Sequence, residues 1–318
     1  MLQVGIDIGG TNIKAGIVDD ETGKILVKRS IPFLHGGYEK NCAAIAALVL
    51  AMEEELPAEN KMFCSVGIAV PGSINQAEGI VINAHNLGFH NAPIRDEIAK
   101  YFPDKPIFLS NDANAAVLAE LCAGVFRGKN TAVLITIGTG TGGGLVLNGR
   151  VFNGGMDRGV ELGHMVLKHG GLPCTCGNCG CVESYCTATW LAARGIEAAE
   201  SARIRGQSSM ILKLAGGLAE KVDAKIVIDA AKAGDLAAQE IFAQFADHLS
   251  SALASICALL DPEVIAVGGG VSHAGDFLFQ TLCAQLKEKS FYKADYLVVP
   301  AALGNDAGIV GAAMLYRN

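Results

Sequence analysis

The sequence predicts an α/β fold arranged as two lobes, and three observations carry that expectation. The chain has 318 residues, long for one domain and natural for two, since a domain commonly takes roughly 100–200 residues. Strand-like apolar runs alternate with helical periodicities along it, as in α/β proteins. Two distant stretches, VGIDIGGTNIKAGIVDD (4–20) and VLITIGTGTGGGLVLNG (133–149), also share one design: a β-branched apolar run, a turn rich in glycine and threonine, then a second apolar run. Each reads as a hairpin with a flexible tip and is expected to open one lobe.

The elements follow in order from apolar period and punctuation. After the first hairpin come a strand at Ile25–Ile31, a helix at Tyr38–Leu56, strands at Cys64–Val70 and Ile107–Leu109, and a helix at Ala113–Cys122. After the second hairpin come a long helix at Leu236–Leu260, a strand at Val264–Val267 and a helix at Asp276–Lys289. The stretch Asp306–Tyr316 reads as a helix that packs back on the first lobe. The expected division is therefore 1–117 plus about 303–318 for the smaller lobe and 118–302 for the larger.

Composition narrows the function. With 51% hydrophobic residues, 18% charged and a formal net charge of −7, the chain can build a packed core under an acidic surface. It offers no basic cluster to displace counterions from nucleic acid. The start, MLQVGIDIGG, has neither a charged n-region nor an apolar stretch long enough for a signal or a membrane span. A cytoplasmic location is expected, with no membrane partner. Thiols stay reduced there, so clustered cysteines point to metal ligands or reactive groups before disulfides.

Three glycine clusters suit phosphates. Asp7 ends the first strand, and Gly9, Gly10, Thr11 and Asn12 follow it. Glycines let a backbone approach phosphate closely, turn N–H groups donate to its oxygens, and Asp7 suits Mg²⁺, which favours hard oxygen ligands shared with phosphates. Gly138, Thr139, Gly140, Thr141 and Gly142 form a second turn without an acid, and Gly268, Gly269 and Gly270 follow the strand Val264–Val267. Together they suggest a nucleotide held between lobes, whereas each alone could serve only a tight turn. A dinucleotide fold fits poorly, because strand-like IKAGIV and not a helix follows the first turn.

Two further stretches carry chemistry. Asn111-Asp112 precedes a helical run, where such residues cap helices; Asp112 could equally accept the proton of an attacking hydroxyl. CTCGNCGC (174–181) packs four cysteines into eight positions. It reads as a structural zinc site, with Cys176-Gly177-Asn178-Cys179 redox chemistry and unliganded thiols as alternatives. Cys174, Cys176, Cys179 and Cys181 could form an all-sulfur site, although two one-residue gaps strain such a loop.

The combination of DIGGTNIKAG, NDANAA (111–116), TIGTGTGGGL, ELGH (161–164), CTCGNCGCVES (174–184) and VGGGV (267–271) resembles the ROK family of sugar kinases, repressors and related proteins, in the family's order. The resemblance implies a two-lobed, actin-like ATPase fold of the sugar-kinase (hexokinase) type, with ATP and a hexose in a central cleft that closes on the sugar. It assigns Asp112 as catalytic base and Asn111 as a sugar ligand, with Glu161, His164 and Glu183 near the anomeric end and backbone contacts from the Pro71-Gly72 turn. It also takes His164, Cys174, Cys176 and Cys181 as the zinc ligands, leaving Cys179 and His169 without a role. The chain departs from most relatives at Val160, where a small residue is usual, and from many glucose-specific ones at Phe89, where Trp is usual.

The implied activity is ATP-dependent phosphorylation of a hexose 6-hydroxyl, glucose first. N-acetylmannosamine, N-acetylglucosamine, mannose, fructose and allose are alternatives, as is a non-catalytic sugar sensor. ATP, Mg²⁺ and structural Zn²⁺ are the expected cofactors, and a homodimer or homotetramer the expected assembly. The family's repressors carry a helix-turn-helix ahead of the kinase-like part; the first phosphate motif begins within ten residues of Met1, which favours an enzyme.

Overall fold

The computed structural model describes residues 1–57, 62–156 and 159–318. In chain order the elements are β1 (Leu2–Ile8), β2 (Asn12–Asp19), β3 (Ile25–Pro32), α1 (Tyr38–Glu54), β4 (Val66–Val70), β5 (Ser73–Asn75), β6 (Ile80–Ala84), β7 (Phe89–Ala92), α2 (Ile94–Ala99), β8 (Ile107–Asn111) and α3 (Asp112–Ala123). There follow β9 (Ala132–Ile137), β10 (Thr141–Leu147), β11 (Arg150–Phe152), α4 (Ala188–Arg205), α5 (Met210–Leu214), α6 (Ala224–Lys232), α7 (Leu236–Leu260), β12 (Val264–Gly268), α8 (Asp276–Lys289), β13 (Val298–Pro300) and α9 (Ala307–Ala313).

The chain divides into two compact units: Met1–Asn130, Gly144–Val160 and Ala302–Asn318 form one, and Thr131–Gly143 with Glu161–Ala301 the other. The changeover expected at 117/118 falls inside α3, and the chain crosses units again within β10. The two main sheets repeat one plan, with orders β3-β2-β1-β4-β8 and β11-β10-β9-β12-β13. In each, a hairpin leads into parallel strands: β1 pairs antiparallel with β2 and parallel with β4, and β12 lies parallel to both β9 and β13. The paired hairpins of the sequence are thus β1–β2 and β9–β10.

Alternation along β1 and β2 sorts the first sheet's two faces. Val4, Ile6, Ile8, Ile13, Ala15 and Ile17 join a core with Cys42, Ile45, Ala46, Val49 and Met52 of α1. The opposite face presents Gly5 and Gly16, joined by Gly67 of β4. A Cβ at Gly5 would overlap the Ile309 carbonyl, and one at Gly67 the Ala312 carbonyl. Bare backbone therefore lets α9 lie directly on the sheet, with Ala69, Ala115 and Ala312 filling the remaining space. The expected helix 306–316 resolves into α9 and a 3-10 turn at Leu315–Arg317.

A buried carboxylate ties this terminal segment down. Asp20, 4% exposed, accepts from the Met1 ammonium at 2.7 Å, Tyr316 Oη at 2.6 Å and Gln3 Nε2 at 3.0 Å. Burial pushes its pKa up, yet these donors outweigh burial and bring it down to about 2. A depressed folded pKa stabilises above the unfolded value, near 4, and that stabilisation is lost as pH falls through about 2; it is worth about 2 kcal/mol. Asp20→Asn is expected to cost that much at pH 7 in urea unfolding and to flatten the acid limb of stability. A variant as acid-sensitive as the wild type would contradict the assignment.

Among the described residues, the strands β5–β7, which form a small separate sheet, and the short helices α2, α5 and α6 were not expected from sequence. β5 and β7, of three and four residues, carry too few alternations to count.

Candidate active site

The first unit brings one set of expected residues to the C-terminal ends of its strands. Asp7 lies near the end of β1 opposite Lys14, its partner in the ladder, with Lys14 Nζ 3.7 Å from Asp7 Oδ2. Burial raises the Asp7 pKa, and Lys14 works against that rise. Beyond them Gly9 donates its N–H to the Asn12 carbonyl at 2.9 Å, closing a tight turn in which Gly10, Thr11 and Asn12 are exposed.

Asn111 and Asp112 sit where β8 ends and α3 begins, and they divide the work there. Asn111 caps the helix, its Oδ1 accepting from Ala113 N at 2.8 Å and Asn114 N at 3.4 Å. Its Nδ2 donates to the Gly72 carbonyl at 3.0 Å, so the Pro71-Gly72 turn and the cap are one unit. Asp112 follows as the first helical residue, exposed, with Oδ1 2.9 Å from Ala113 N. Ser110, Gln76, Asn153 and Asn114 continue a chain of side-chain hydrogen bonds beside this corner, at 3.0–3.5 Å. Phe89, in contrast, is buried against Phe33 and Tyr38.

The second unit assembles the other set. In the β9–β10 turn, Gly138 donates its N–H to the Gly140 carbonyl at 2.9 Å. Thr141 N donates to Glu183 Oε2 at 2.9 Å, while its hydroxyl donates to the Cys186 carbonyl at 2.6 Å. Thr175 Oγ1 donates to the other Glu183 oxygen at 3.3 Å, and Cys174 Sγ lies 3.9 Å from it. Glu183 therefore links the second glycine turn to the cysteine stretch, a connection the sequence did not signal. Glu161 is exposed at the start of the 3-10 turn Leu162–His164.

His164, Cys174, Cys176 and Cys181 converge: one ligand atom from each lies within 4.8 Å of all the others. His164 Nδ1 is 3.6 Å from Cys174 Sγ, and the sulfurs of Cys176 and Cys181 are 3.7 Å apart. Cys179 is exposed and outside the group, as is His169. Burial alone would raise Cys174, but the Cys176 N–H, the neighbouring thiols and His164 bring it down to about 7. Burial, then Cys174 and Cys176, push Cys181 up to about 12. Cys174 is thus drawn toward a thiolate near neutrality while Cys181 is held as a thiol beside it. Three sulfurs and an imidazole suit tetrahedral zinc.

The third glycine cluster ends β12, Gly269 with φ +81°, and opens a 3-10 turn over Gly270–Ala274. A cavity of about 410 Å³ adjoins it, lined by Gly270, Val271 and Ala274 and by Ile228, Lys225 and Lys232 of α6. The α6 residues were missed from sequence, although Asp223 caps that helix through Ile226 N at 2.8 Å and was the available signal. No helix among the described residues is long and apolar enough to cross a membrane.

A family model for the ROK family matches residues 3–318. A glucokinase of Thermotoga maritima is 39% identical over 320 residues, covering 99% of this chain and 96% of that one. An N-acetyl-D-glucosamine kinase of Pectobacterium atrosepticum is 31% identical over 326 residues, covering 99% of each. Among solved structures, a ROK family glucokinase from Streptomyces griseus in complex with glucose and AMPPNP is similar at a TM-score of 0.80 and 31% identity, covering 99% of both chains.

Proposed function

Because the chain belongs to the ROK family, has the actin-like fold of its sugar kinases and is an ATP-dependent sugar kinase, we propose that it phosphorylates glucose at the 6-hydroxyl with Asp112 as general base. The observation that carries this reading is the division of labour at α3. Capping falls to Asn111, so the cap does not by itself call for the exposed carboxylate of Asp112 next to it.

Asp112 would take the proton of the 6-hydroxyl as that oxygen attacks the γ-phosphorus of ATP. The bond from γ-phosphorus to the β,γ-bridging oxygen breaks, and ADP leaves. Mg²⁺, held through Asp7, would supply neutralisation of the phosphate charge. The turns Gly9–Asn12 and Gly138–Gly142 would donate backbone N–H groups to the phosphates, and the base would enter the cavity beside Gly268, Gly269 and Gly270. Asn111, Glu161, His164 and Glu183 would hold the sugar hydroxyls, with Gly72 fixing Asn111 from behind.

Zinc would be held by His164, Cys174, Cys176 and Cys181. With Nδ1 turned to Cys174, Nε2 of His164 would be left for a sugar hydroxyl, and the metal would fix the ring. A second reading, an N-acetylhexosamine kinase, draws support from the 31% identity to the Pectobacterium atrosepticum kinase.

A coupled assay with ATP and Mg²⁺ over glucose, mannose, fructose, allose, N-acetylglucosamine and N-acetylmannosamine tests this. Glucose is expected to lead in kcat/KM by at least about tenfold. An N-acetylhexosamine in first place would move the assignment to the second reading, and turnover of no sugar would overturn both.

A further inference from the structure

The small sheet β5–β7 turns from apolar to polar at one end. Ile74, Val81 and Ala92, one from each strand, are cross-strand neighbours that join the core of the first unit. Two residues further along β6, on the same face, Asn83 stands between its partners Ser73 and His90. That end of the sheet touches both turns of the first unit that the proposed reaction uses. A Cβ on Gly72, at φ +106°, would overlap the Asn83 carbonyl, and Gly72 is the residue whose own carbonyl Asn111 grips. On the other side, the Asn86 carbonyl lies 3.8 Å from where a Cβ on Gly10 would stand. His85, between Asn83 and Asn86 in the chain, is exposed.

Asn83 and His85 form a pair that the packing alone does not explain. Asn83 Nδ2 is 2.7 Å from His85 Nε2. An amide nitrogen only donates, so Nε2 is the acceptor and the imidazole proton sits on Nδ1. The same amide leaves its oxygen, Oδ1, buried without a partner, an arrangement that costs stability. What it secures is the tautomer of an exposed ring, which is set by the hydrogen bond its other nitrogen makes.

We propose that His85 is a specificity-determining residue of this kinase: its Nδ1–H donates to the hydroxyl at C4 of the hexose, and Asn83 is the positioning residue that fixes the tautomer. The place on the sugar follows from ring chemistry. In the reading above, Asp112 addresses the 6-hydroxyl beside Asn111 and Gly72, while Glu161, His164 and Glu183 take the anomeric end. On a pyranose the hydroxyl neighbouring the carbon that bears C6 is the one at C4, so a donor on the Gly72 side meets that hydroxyl and separates glucose from its C4 epimer. The proposal rests on that reading of Asp112 and of glucose as substrate.

The test is steady-state kinetics of the wild type, His85→Ala, His85→Asn and Asn83→Leu on glucose, 4-deoxyglucose and 2-deoxyglucose, with calorimetric titration of AMPPNP into each. The wild type is expected to lose at least about tenfold in kcat/KM on 4-deoxyglucose, as a site built to bond a hydroxyl does when the hydroxyl is missing. His85→Ala is expected to raise KM about tenfold for glucose and for 2-deoxyglucose, to change kcat less than about threefold, and to treat glucose and 4-deoxyglucose alike. His85→Asn, whose amide offers a donor near the place of Nδ1, is expected to keep most of the preference, and Asn83→Leu to lose part of it. AMPPNP affinity is expected to stay within about threefold throughout, which also reports intact folding. A His85→Ala enzyme that keeps the wild-type ratio of glucose to 4-deoxyglucose, or that weakens AMPPNP as much as glucose, would overturn the proposal while leaving the glucose reading in place. Turnover of none of these sugars by the wild type would remove that reading and the proposal with it.

Discussion

Asp112→Ala is expected to lower kcat by about 10³–10⁴-fold, the upper part of the range for a positioned general base, with glucose binding changed by less than about tenfold. The two effects separate because the helix cap belongs to Asn111 and not to Asp112. Asn111 makes the cap and grips the Gly72 carbonyl, so α3 starts where it did and the corner proposed to hold the sugar keeps its shape. The alanine forfeits the Ala113 N–H contact and a favourable charge at a helix N-terminus, the latter about 0.3–1 kcal/mol. Asp112→Asn should fail in catalysis as badly, since the amide keeps the shape and cannot take the proton. Steady-state kinetics and calorimetric glucose titration of both variants provide the check. Retention of more than a tenth of wild-type kcat by either one would sink the assignment.

The second large effect lies in the cysteine stretch. Cys176→Ser is expected to abolish bound zinc and activity together, whereas Cys179→Ser should keep both. Structural zinc in small domains is worth an apparent 10–16 kcal/mol or so, far more than one surface loop can replace. The damage should reach the nucleotide as well as the sugar, because Glu183 holds Thr141 N with one oxygen and faces Thr175 and Cys174 with the other. Prolonged chelation of the wild type should reproduce the Cys176→Ser phenotype. Metal content by elemental mass spectrometry, with KM for each substrate, decides the matter; zinc lost from Cys179→Ser and kept by Cys176→Ser would restore the all-cysteine site.

Much of this was legible in the sequence where chemistry and period agree. The hairpins 4–20 and 133–149 were readable because β-branched runs flank turns that only small residues tolerate, and both became the leading hairpins of sheets with the same plan. The long helices α7 and α8 were read to their observed ends, Leu236–Leu260 and Asp276–Lys289. The helices α5 and α6 were missed although Ser209 and Asp223 each accept from a backbone N–H at the start of one of them. Capping residues were the signal there, and apolar period alone was too weak in such short helices.

At the candidate site, residue types marked the glycine turns and the thiol group, yet not the bonds between them. Nothing in the spacing of Thr141 and Glu183 says that one donates to the other, and nothing in Phe89 says that it lies in a core. The placing of Lys14 opposite Asp7 stayed hidden because it depends on ladder register, which only the folded chain supplies.

The seat of α9 also bears on the order in which this protein can be made. The first unit begins with Met1 and is completed by Ala302–Asn318, while Gly5 and Gly67 present bare backbone to be covered by Ile309 and Ala312. During synthesis, which runs from the N-terminus at roughly 5–20 residues per second, β1 and β4 must leave the ribosome and wait through the whole second unit before their cover arrives. The second unit, closed by Ala301, is therefore the first whose residues are all made, and the first unit is completed only by the last residues of the chain.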